Sequence, residues 1–345
     1  MEYGAIIKEL RSGVYHPIYF LHGEEPYYVD QIDHFIAENA LSEDQQGFNQ
    51  TILYGLDTDL STIVAEAKRF PMMSDRQVVI VREAHKLKGL TNGDEKDNEL
   101  LAYLKNPQPS TILVICHKYK KIDGRKKAGK GILAEAKKHG VVFNSEKPKD
   151  WKLPDWIIGH IRNDGHNIDP RTAGIIAAHL GNDIGRIHNE LEKLYIGIPE
   201  KSTITAQMVE DRIGVSKDYN MFEFLDALGK RDKERALRIA IRFGHDQKEH
   251  PIQMIIPSLF SYFSKLMNYQ WLFSKGKRGD DLARACGVHP FFLKEYKLAA
   301  QNYPRASSER AISMIRTADL NSKGYGNVSS DASELLKELT IKLMM

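Results

Sequence analysis

The sequence predicts an α/β domain with a mostly parallel sheet, followed by two all-helical domains. The 345-residue chain is too long for one ordinary hydrophobic core, so several domains are expected. Its first part alternates strand-like and helix-like segments, and strand-like segments almost disappear after Trp151. The predicted domains therefore span residues 1–150, 151–214 and 215–345.

The first domain is predicted to be built from βα units. Its strand candidates are short and rich in β-branched and aromatic residues, and helical patterns fall between them. This alternation favours parallel pairing, with helices on both faces of the sheet. The predicted strands cover residues 17–21, 48–54, 77–82, 111–116 and 141–143. The predicted helices cover residues 28–39, 60–68, 99–106 and 131–139.

The rest of the chain is predicted to be helical. Asp169 can cap a helix whose first residue is Pro170, and Gly181 can end it. Either Asn182 or Asp183 then opens a second helix. Helical patterns continue to the end of the chain, apart from two segments rich in glycine, serine or charge. These predicted loops are residues 275–280 and 322–331.

Composition and charge are those of a globular protein. The chain has 49 basic and 46 acidic residues, a balance that argues neither for nor against a nucleic-acid partner, because a basic patch can exist in a nearly neutral molecule. Cys116 and Cys286 match no paired-ligand spacing, so zinc and a disulfide framework are not expected. No run reaches the ~18 apolar residues of a membrane span, and the N-terminus has no signal-peptide pattern. We expect a cytoplasmic protein.

Residues 18–23 predict a buried strand that runs into a glycine, which is how a phosphate-binding loop begins. Such a loop also needs further glycines, a lysine for the phosphates and a serine or threonine for magnesium. Here Gly23 is followed by Glu24, Glu25 and Pro26. The two carboxylates repel phosphate, and the proline has no N–H to donate. This loop is therefore not expected to hold a triphosphate.

A second strand, within residues 78–87, has the shape of the segment that carries the metal-binding aspartate of an ATPase. Arg82 stands where that aspartate is needed, and a cation cannot hold magnesium. Glu83 follows in the place of the base that activates water, although a glutamate after a strand is usually just solvated. No metalloprotease or nucleophile-elbow spacing stands out elsewhere. We expect the plan of an ATPase without a catalytic residue, metal or cofactor.

Several segments are similar, in order and spacing, to those of the δ subunit family of the bacterial DNA polymerase III clamp loader. The resemblance covers essentially the whole chain. The matching segments are FLHGEEPYYVDQ at 20–31, RFPMMSDRQVVIVREAHKL at 69–87, KKIDGRKKAGK at 120–130, LGNDIGRIHNELEKL at 180–194 and TITAQMV at 203–209.

This resemblance implies a degenerate RecA-like/AAA+ domain, a helical lid and a helical collar that joins the other loader subunits. It implies a protein that opens the ring-shaped β sliding clamp and helps to load it on primed DNA during replication, without hydrolysing ATP. The implied partners are the β sliding clamp, the loader ATPase (tau/gamma), the delta-prime subunit and primer–template DNA. The assembly is the DNA polymerase III holoenzyme, a nucleotidyltransferase. The relic of a nucleotide site would comprise Gly23, Glu24, Glu25, Arg82 and Glu83.

The resemblance also implies which residues contact the clamp. Members of the family insert two adjacent bulky hydrophobic residues, often after a proline, and the matching positions here are Pro71, Met72 and Met73. Methionine replaces the usual phenylalanine, but it adapts well to a hydrophobic pocket. Pro71 is expected to end the preceding helix, so that both side chains project from a short exposed turn. The alternative is that both methionines cap the core of the first domain.

Two segments are candidates for DNA contact. Residues 117–140 are strongly basic and can neutralise phosphates, although a solvated loop and helix face is the alternative. Tyr325 lies between two glycines, where it can stack on an unpaired base or pack on a neighbouring helix. The resemblance places this tyrosine near the primer–template junction. The candidate residues of the basic segment are Lys120, Lys121, Arg125, Lys126 and Lys127.

Two other functions are left open by the sequence. An active AAA+ ATPase, such as a helicase loader, would have to bind ATP, which the missing lysine and Arg82 disfavour. A stand-alone nucleic-acid-binding protein would bind DNA without a clamp or a loader partner.

Overall fold

The chain folds into two compact units, Met1–Lys147 and Pro148–Met345, which we call the first and the second unit. The division of the second unit into a lid and a collar stays a prediction. For residues 127 and 128 the structure describes the backbone only. The computed structural model describes residues 1–90, 98–123, 127–325 and 331–345.

A five-stranded parallel sheet forms the centre of the first unit. Its strands are β1 (Ile18–Gly23), β2 (Gln50–Tyr54), β3 (Gln77–Arg82), β4 (Thr111–His117) and β5 (Gly140–Ser145). The strand order is β2-β3-β4-β1-β5, and Ile18 lies opposite Leu113 on one side and Gly140 on the other. Because the strands are parallel, their carboxyl ends meet at one edge of the sheet. The predicted α/β class with a parallel sheet is confirmed.

One helix precedes β1 in the sequence, and the others lie between the strands. In the described part of the first unit they are α1 (Tyr3–Arg11), α2 (Pro26–Asn39), α3 (Glu43–Asn49), α4 (Leu60–Ala67), α5 (Glu99–Lys105) and α6 (Lys127–His139). The sequence patterns did not predict α1 and α3. Phe48 was assigned to a strand, which is wrong. It belongs to α3, because Ser42 and Gln45 form a capping box that starts a helix before it.

Both faces of the sheet are covered, so β1 is buried along its whole length. Alternate side chains of this strand enter opposite cores, Ile18 and Phe20 on one face and Tyr19 and Leu21 on the other. Each fully buried side chain of this size contributes roughly 1.5–3 kcal/mol. The sheet therefore gives rigid support to the loop that follows β1 and the loop that precedes β3.

The second unit is helical in its described residues, except for two parallel two-residue strands, β6 (Asn167–Ile168) and β7 (Thr203–Ile204). No helix in the described stretches of the chain is long and apolar enough to cross a membrane. The helices of this unit are α7 (Leu153–Asn163), α8 (Pro170–Leu180), α9 (Ile184–Tyr195), α10 (Ala206–Ile213), α11 (Met221–Lys230), α12 (Lys233–His245), α13 (Ile252–Ser274), α14 (Gly279–Cys286), α15 (Leu293–Asn302), α16 (Arg305–Ser322) and α17 (Ala332–Leu343).

The ends of α8 and α9 lie where the sequence predicts them. The Asp169 carboxylate accepts hydrogen bonds from the backbone amides two and three residues further on, at 2.9 and 3.1 Å. Gly181 ends α8 with a φ of 69°, and Asp183 caps α9. The predicted loop at 275–280 is shorter than expected, because α14 already begins at Gly279.

Ion pairs join α8 to α11 and α12. Glu223 is buried in α11, and its carboxylate accepts a hydrogen bond from Arg171 of α8 at 2.7 Å. Arg235 of α12 pairs with the same carboxylate. A buried carboxylate is tolerated only when it is paired in this way. Helices from the predicted lid and the predicted collar are thus tied together within one compact unit.

Candidate functional site

The loop after β1 is shaped by a close approach of β5. Gly23 has a φ of 141°, and a Cβ atom added to it would lie 2.0 Å from the carbonyl oxygen of Ser145. Any larger residue would therefore clash with the β5 backbone. The contact with β5 explains the glycine without a phosphate.

The amides of this loop are engaged within the chain. The Glu24 amide donates to the Ser145 carbonyl at 2.8 Å, and the Ser145 hydroxyl donates to the Glu25 carbonyl at 2.6 Å. The Glu25 side chain is only 2% exposed and accepts a hydrogen bond from the Tyr27 amide at 3.1 Å. It thereby caps α2 with the chain's own carboxylate, in the position where a helix N-terminus would otherwise attract an anion.

Arg82, at the end of β3, pairs with a buried carboxylate. Its Nε and Nη2 atoms donate to the two carboxylate oxygens of Asp33 in α2, at 2.8 and 3.4 Å. Asp33 is 1% exposed, and burial raises its pKa, while the hydrogen bond and the charge of Arg82 act in the opposite direction. The arginine therefore has a structural partner where an ATPase would need a metal ligand.

Glu83 is also engaged, although it lies near the surface. Lys86 Nζ donates to Glu83 Oε2 at 2.9 Å, and this hydrogen bond lowers the pKa of Glu83. A lowered pKa makes the carboxylate a weaker base for activating water. In the ranges that the structure describes, no three histidine, cysteine, aspartate or glutamate side chains are grouped to hold a metal.

The two halves of the predicted relic do meet in the fold. β4 lies between β1 and β3, so Gly23 and Arg82 end neighbouring parts of the same sheet edge. Helix α2 begins directly after Glu25 and carries Asp33, the partner of Arg82. The groups that would face a nucleotide in an ATPase are thus engaged with other residues of this chain.

A second candidate site precedes β3. We call residues Phe70 to Met73 the 70–73 turn. Met72 is 56% exposed and Met73 is fully exposed, so the alternative in which both cap the core is wrong. The prediction that Pro71 ends the preceding helix is wrong. Helix α4 already ends at Ala67, with Lys68 as its cap. The turn is longer than expected and lifts both methionines away from the core.

Asn49 holds the 70–73 turn in place. Its Oδ1 accepts from the Met72 amide at 2.6 Å, and its Nδ2 donates to the Met72 carbonyl at 2.9 Å and to the Gln45 carbonyl at 3.3 Å. Met73 has a φ of 51°, a left-handed conformation that a non-glycine residue adopts only when its surroundings enforce it. The turn is therefore a fixed feature with two projecting apolar side chains.

The base of the turn is fixed by Gln77, the first residue of β3. Its Nε2 atom donates to the Arg69 carbonyl at 2.5 Å, to the Glu66 carbonyl at 3.2 Å and to Thr111 Oγ1 at 2.8 Å. These contacts tie the end of α4 to the sheet. A rigid base reduces the entropy that a partner must overcome on binding.

Sequence reasoning missed two exposed aromatic residues near this turn. Phe70 is 77% exposed and stands two positions before Met72, and Phe48 of α3 is 72% exposed. Phe70 could have been found because it adjoins Pro71 in a segment already singled out. Phe48 could not have been found, because a strand was predicted at this position instead of the helix that exposes it.

The residues proposed for DNA contact are only partly described. Lys120 and Lys121 are exposed, and Lys121 pairs with Glu146 at 2.6 Å. The backbone of Lys120 forms an isolated antiparallel β-bridge with Gly23. Tyr325 is exposed and lies three residues after the end of α16, where its amide donates to the Leu320 carbonyl. Arg125, Lys126 and the side chain of Lys127 lie outside the described residues.

Family models and curated relatives point to one family. The model of the DNA polymerase III delta subunit matches residues 19–146, and the model of the C-terminal domain of the same subunit matches residues 218–341. DNA polymerase III subunit delta of Bacillus subtilis (strain 168) is 25% identical over 311 residues, which are 89% of this chain and 87% of that protein.

Two further comparisons extend over nearly the whole chain. The probable DNA polymerase III subunit delta of Aquifex aeolicus (strain VF5) is 25% identical over 338 residues, with 94% of this chain and 91% of that protein covered. The structure of the Bacillus subtilis DNA clamp loader delta protein superposes with a TM-score of 0.57, at 23% identity and 99% coverage of both chains, and shows that the fold is shared. This chain therefore belongs to the DNA polymerase III delta subunit family.

Proposed function

We propose that this chain is the clamp-opening subunit of a bacterial clamp loader and that it binds the β sliding clamp through Met72 and Met73. The observation that carries the proposal is the 70–73 turn, which presents two exposed methionines on a backbone fixed by Asn49. Exposed apolar side chains on a rigid support are typical anchors of protein interfaces. Burying both would contribute roughly 3–6 kcal/mol before the cost of association.

The proposal assigns no nucleotide chemistry to this chain. The Glu24 amide and the start of α2 are occupied by Ser145 and by the Glu25 carboxylate, and Arg82 is paired with Asp33. A phosphate would have to displace these contacts and approach two carboxylates. Within the loader, ATP hydrolysis would therefore fall to other subunits.

The remaining partners follow from the family and the layout of the chain. We propose that residues 215–345 form the collar that joins the tau/gamma ATPase and the delta-prime subunit, with residues 151–214 as the lid. Tyr325, Lys120 and Lys121 are exposed, which suits contact with primer–template DNA in the assembly. The protein would act in the cytoplasm, where the chromosome is replicated.

Calorimetry with and without nucleotide tests the proposal. The purified chain is expected to bind purified β sliding clamp with the same affinity in the presence and absence of Mg–ATP, because the Glu24 amide, the Glu25 carboxylate and Arg82 are engaged within the chain. Titration of Mg–ATP into the chain alone should give no binding heat. Micromolar Mg–ATP affinity, in protein cleared of contaminating ATPases, would favour the active AAA+ ATPase instead. DNA binding without any clamp binding would favour the stand-alone nucleic-acid-binding protein.

A further inference from the structure

Four large apolar side chains are exposed on two segments of the first unit that lie side by side. Phe70, Met72 and Met73 come from the 70–73 turn, and Phe48 comes from the end of α3. Asn49 follows Phe48 in the chain and hydrogen-bonds both backbone polar groups of Met72, at 2.6 and 2.9 Å. The two segments are thereby fixed side by side, and we treat their exposed side chains as one candidate docking surface.

The extent of this surface exceeds what two methionines provide. A fully exposed side chain of this size presents on the order of 200 Å². The exposed fractions of the four are together equivalent to about three such side chains, so the surface presents on the order of 600 Å². Monomeric proteins rarely leave more than a few hundred Å² of contiguous apolar surface uncovered unless it binds a partner. A stable interface buries about 800 Å² on each side, and Met72 and Met73 alone would supply less than half of that area.

The two arginines that flank the 70–73 turn are engaged within the chain. Arg69 Nη1 pairs with Glu66 Oε2 at 2.8 Å, and the Arg76 guanidinium lies over the ring of Tyr15, 5.2 Å from its centre. Both arginines therefore have partners already, and the four side chains that define the surface are apolar. A protein surface with a hydrophobic pocket is the kind of partner that fits it.

We propose that Phe48 and Phe70 bind the same partner as Met72 and Met73, so that the docking surface includes the end of α3. The proposal rests on the proposed function, in which this partner is the β sliding clamp. Asn49 would act as a positioning residue, since it contacts Met72 and sets the distance between the two segments. Phe48 and Phe70 would supply the area that the methionines lack.

Single substitutions in the full-length chain test this extended surface. Phe48→Ala and Phe70→Ala should each weaken binding to purified β sliding clamp, measured by calorimetry, by about tenfold or more. The thermal midpoint should stay unchanged, because both side chains are exposed and their removal leaves no cavity. Phe48→Ser is a second variant, which removes the same ring and leaves a small polar side chain. Leu56→Ala is the matched control, because Leu56 is 70% exposed and follows the opposite end of β2, and it should change the affinity less than twofold.

The outcomes separate this inference from the function on which it rests. If a Met72→Ala/Met73→Ala variant loses clamp binding while the Phe48 variants stay within twofold of the wild type, the extended surface is wrong and the proposed function stands. If none of these variants changes clamp binding, both fail. Sedimentation tests whether a second copy of this chain, instead of the clamp, binds to the surface. If Phe48→Ala dissociates a self-associated form and leaves clamp affinity unchanged, the inference is overturned.

Discussion

Replacing Met72 and Met73 together with alanine is expected to weaken binding to the β sliding clamp by at least about 100-fold, because anchors of this kind commonly cost about 2 kcal/mol or more each on truncation. Folding should be unaffected. Both side chains project into solvent, so their removal creates no cavity in the core. Calorimetry with purified clamp measures the first effect, and thermal unfolding of the variant measures the second.

A matched control comes from the second unit. Met254 is exposed in α13, and Met254→Ala removes a similar side chain far from the 70–73 turn in the sequence. It should leave the clamp affinity unchanged if α13 takes no part in clamp contact. Wild-type clamp affinity in the Met72→Ala/Met73→Ala variant, with an unchanged thermal midpoint, would show that the clamp docks elsewhere.

Arg82→Ala is expected to destabilise the first unit by about 2–4 kcal/mol at neutral pH, because it leaves the buried Asp33 carboxylate without its partner. The figure is set below that of a fully buried pair, since the Arg82 side chain is still 23% exposed. Denaturant unfolding measures the loss. Lys86→Ala breaks an exposed pair with Glu83 and should leave the stability nearly unchanged.

The pH dependence distinguishes a lost ion pair from lost packing. Burial already raises the pKa of Asp33, and removing Arg82 raises it further. Below its folded-state pKa in the variant, the Asp33 carboxyl group is neutral and needs no partner. The destabilisation caused by Arg82→Ala should therefore be full at neutral pH and should shrink as the pH falls through the Asp33 pKa of the folded variant. Adding Asp33→Asn to Arg82→Ala should recover part of the stability at neutral pH. If the stability lost in Arg82→Ala is the same at neutral pH and at pH values below the Asp33 pKa, the structural role of the ion pair is contradicted.

Local signals predicted much of the fold. β-branched and aromatic runs located all five strands of the sheet, and the capping residues Asp169 and Gly181 placed the ends of α8. These features depend on neighbours in the sequence, which a single chain displays. Helix α3 escaped because its seven residues have no apolar periodicity, and only the capping box at Ser42 marks it.

The contacts that define the candidate sites depend on residues far apart in the chain. The sequence shows that Arg82 cannot hold magnesium, but its partner Asp33 is 49 residues away. It offers Met72 as an anchor, but the residue that fixes this backbone, Asn49, is 23 residues away. Such pairings follow from strand order and helix placement. They become visible only when the chain is folded.

The release of a closed clamp from circular DNA tests clamp opening by this chain. The β sliding clamp is loaded onto nicked circular DNA, the purified chain is added without ATP, and the rate of clamp release is measured. If the chain binds and opens the ring through the 70–73 turn, it should accelerate release in the absence of nucleotide, and the Met72→Ala/Met73→Ala variant should not. An unchanged release rate, at chain concentrations that saturate the clamp, would contradict the account.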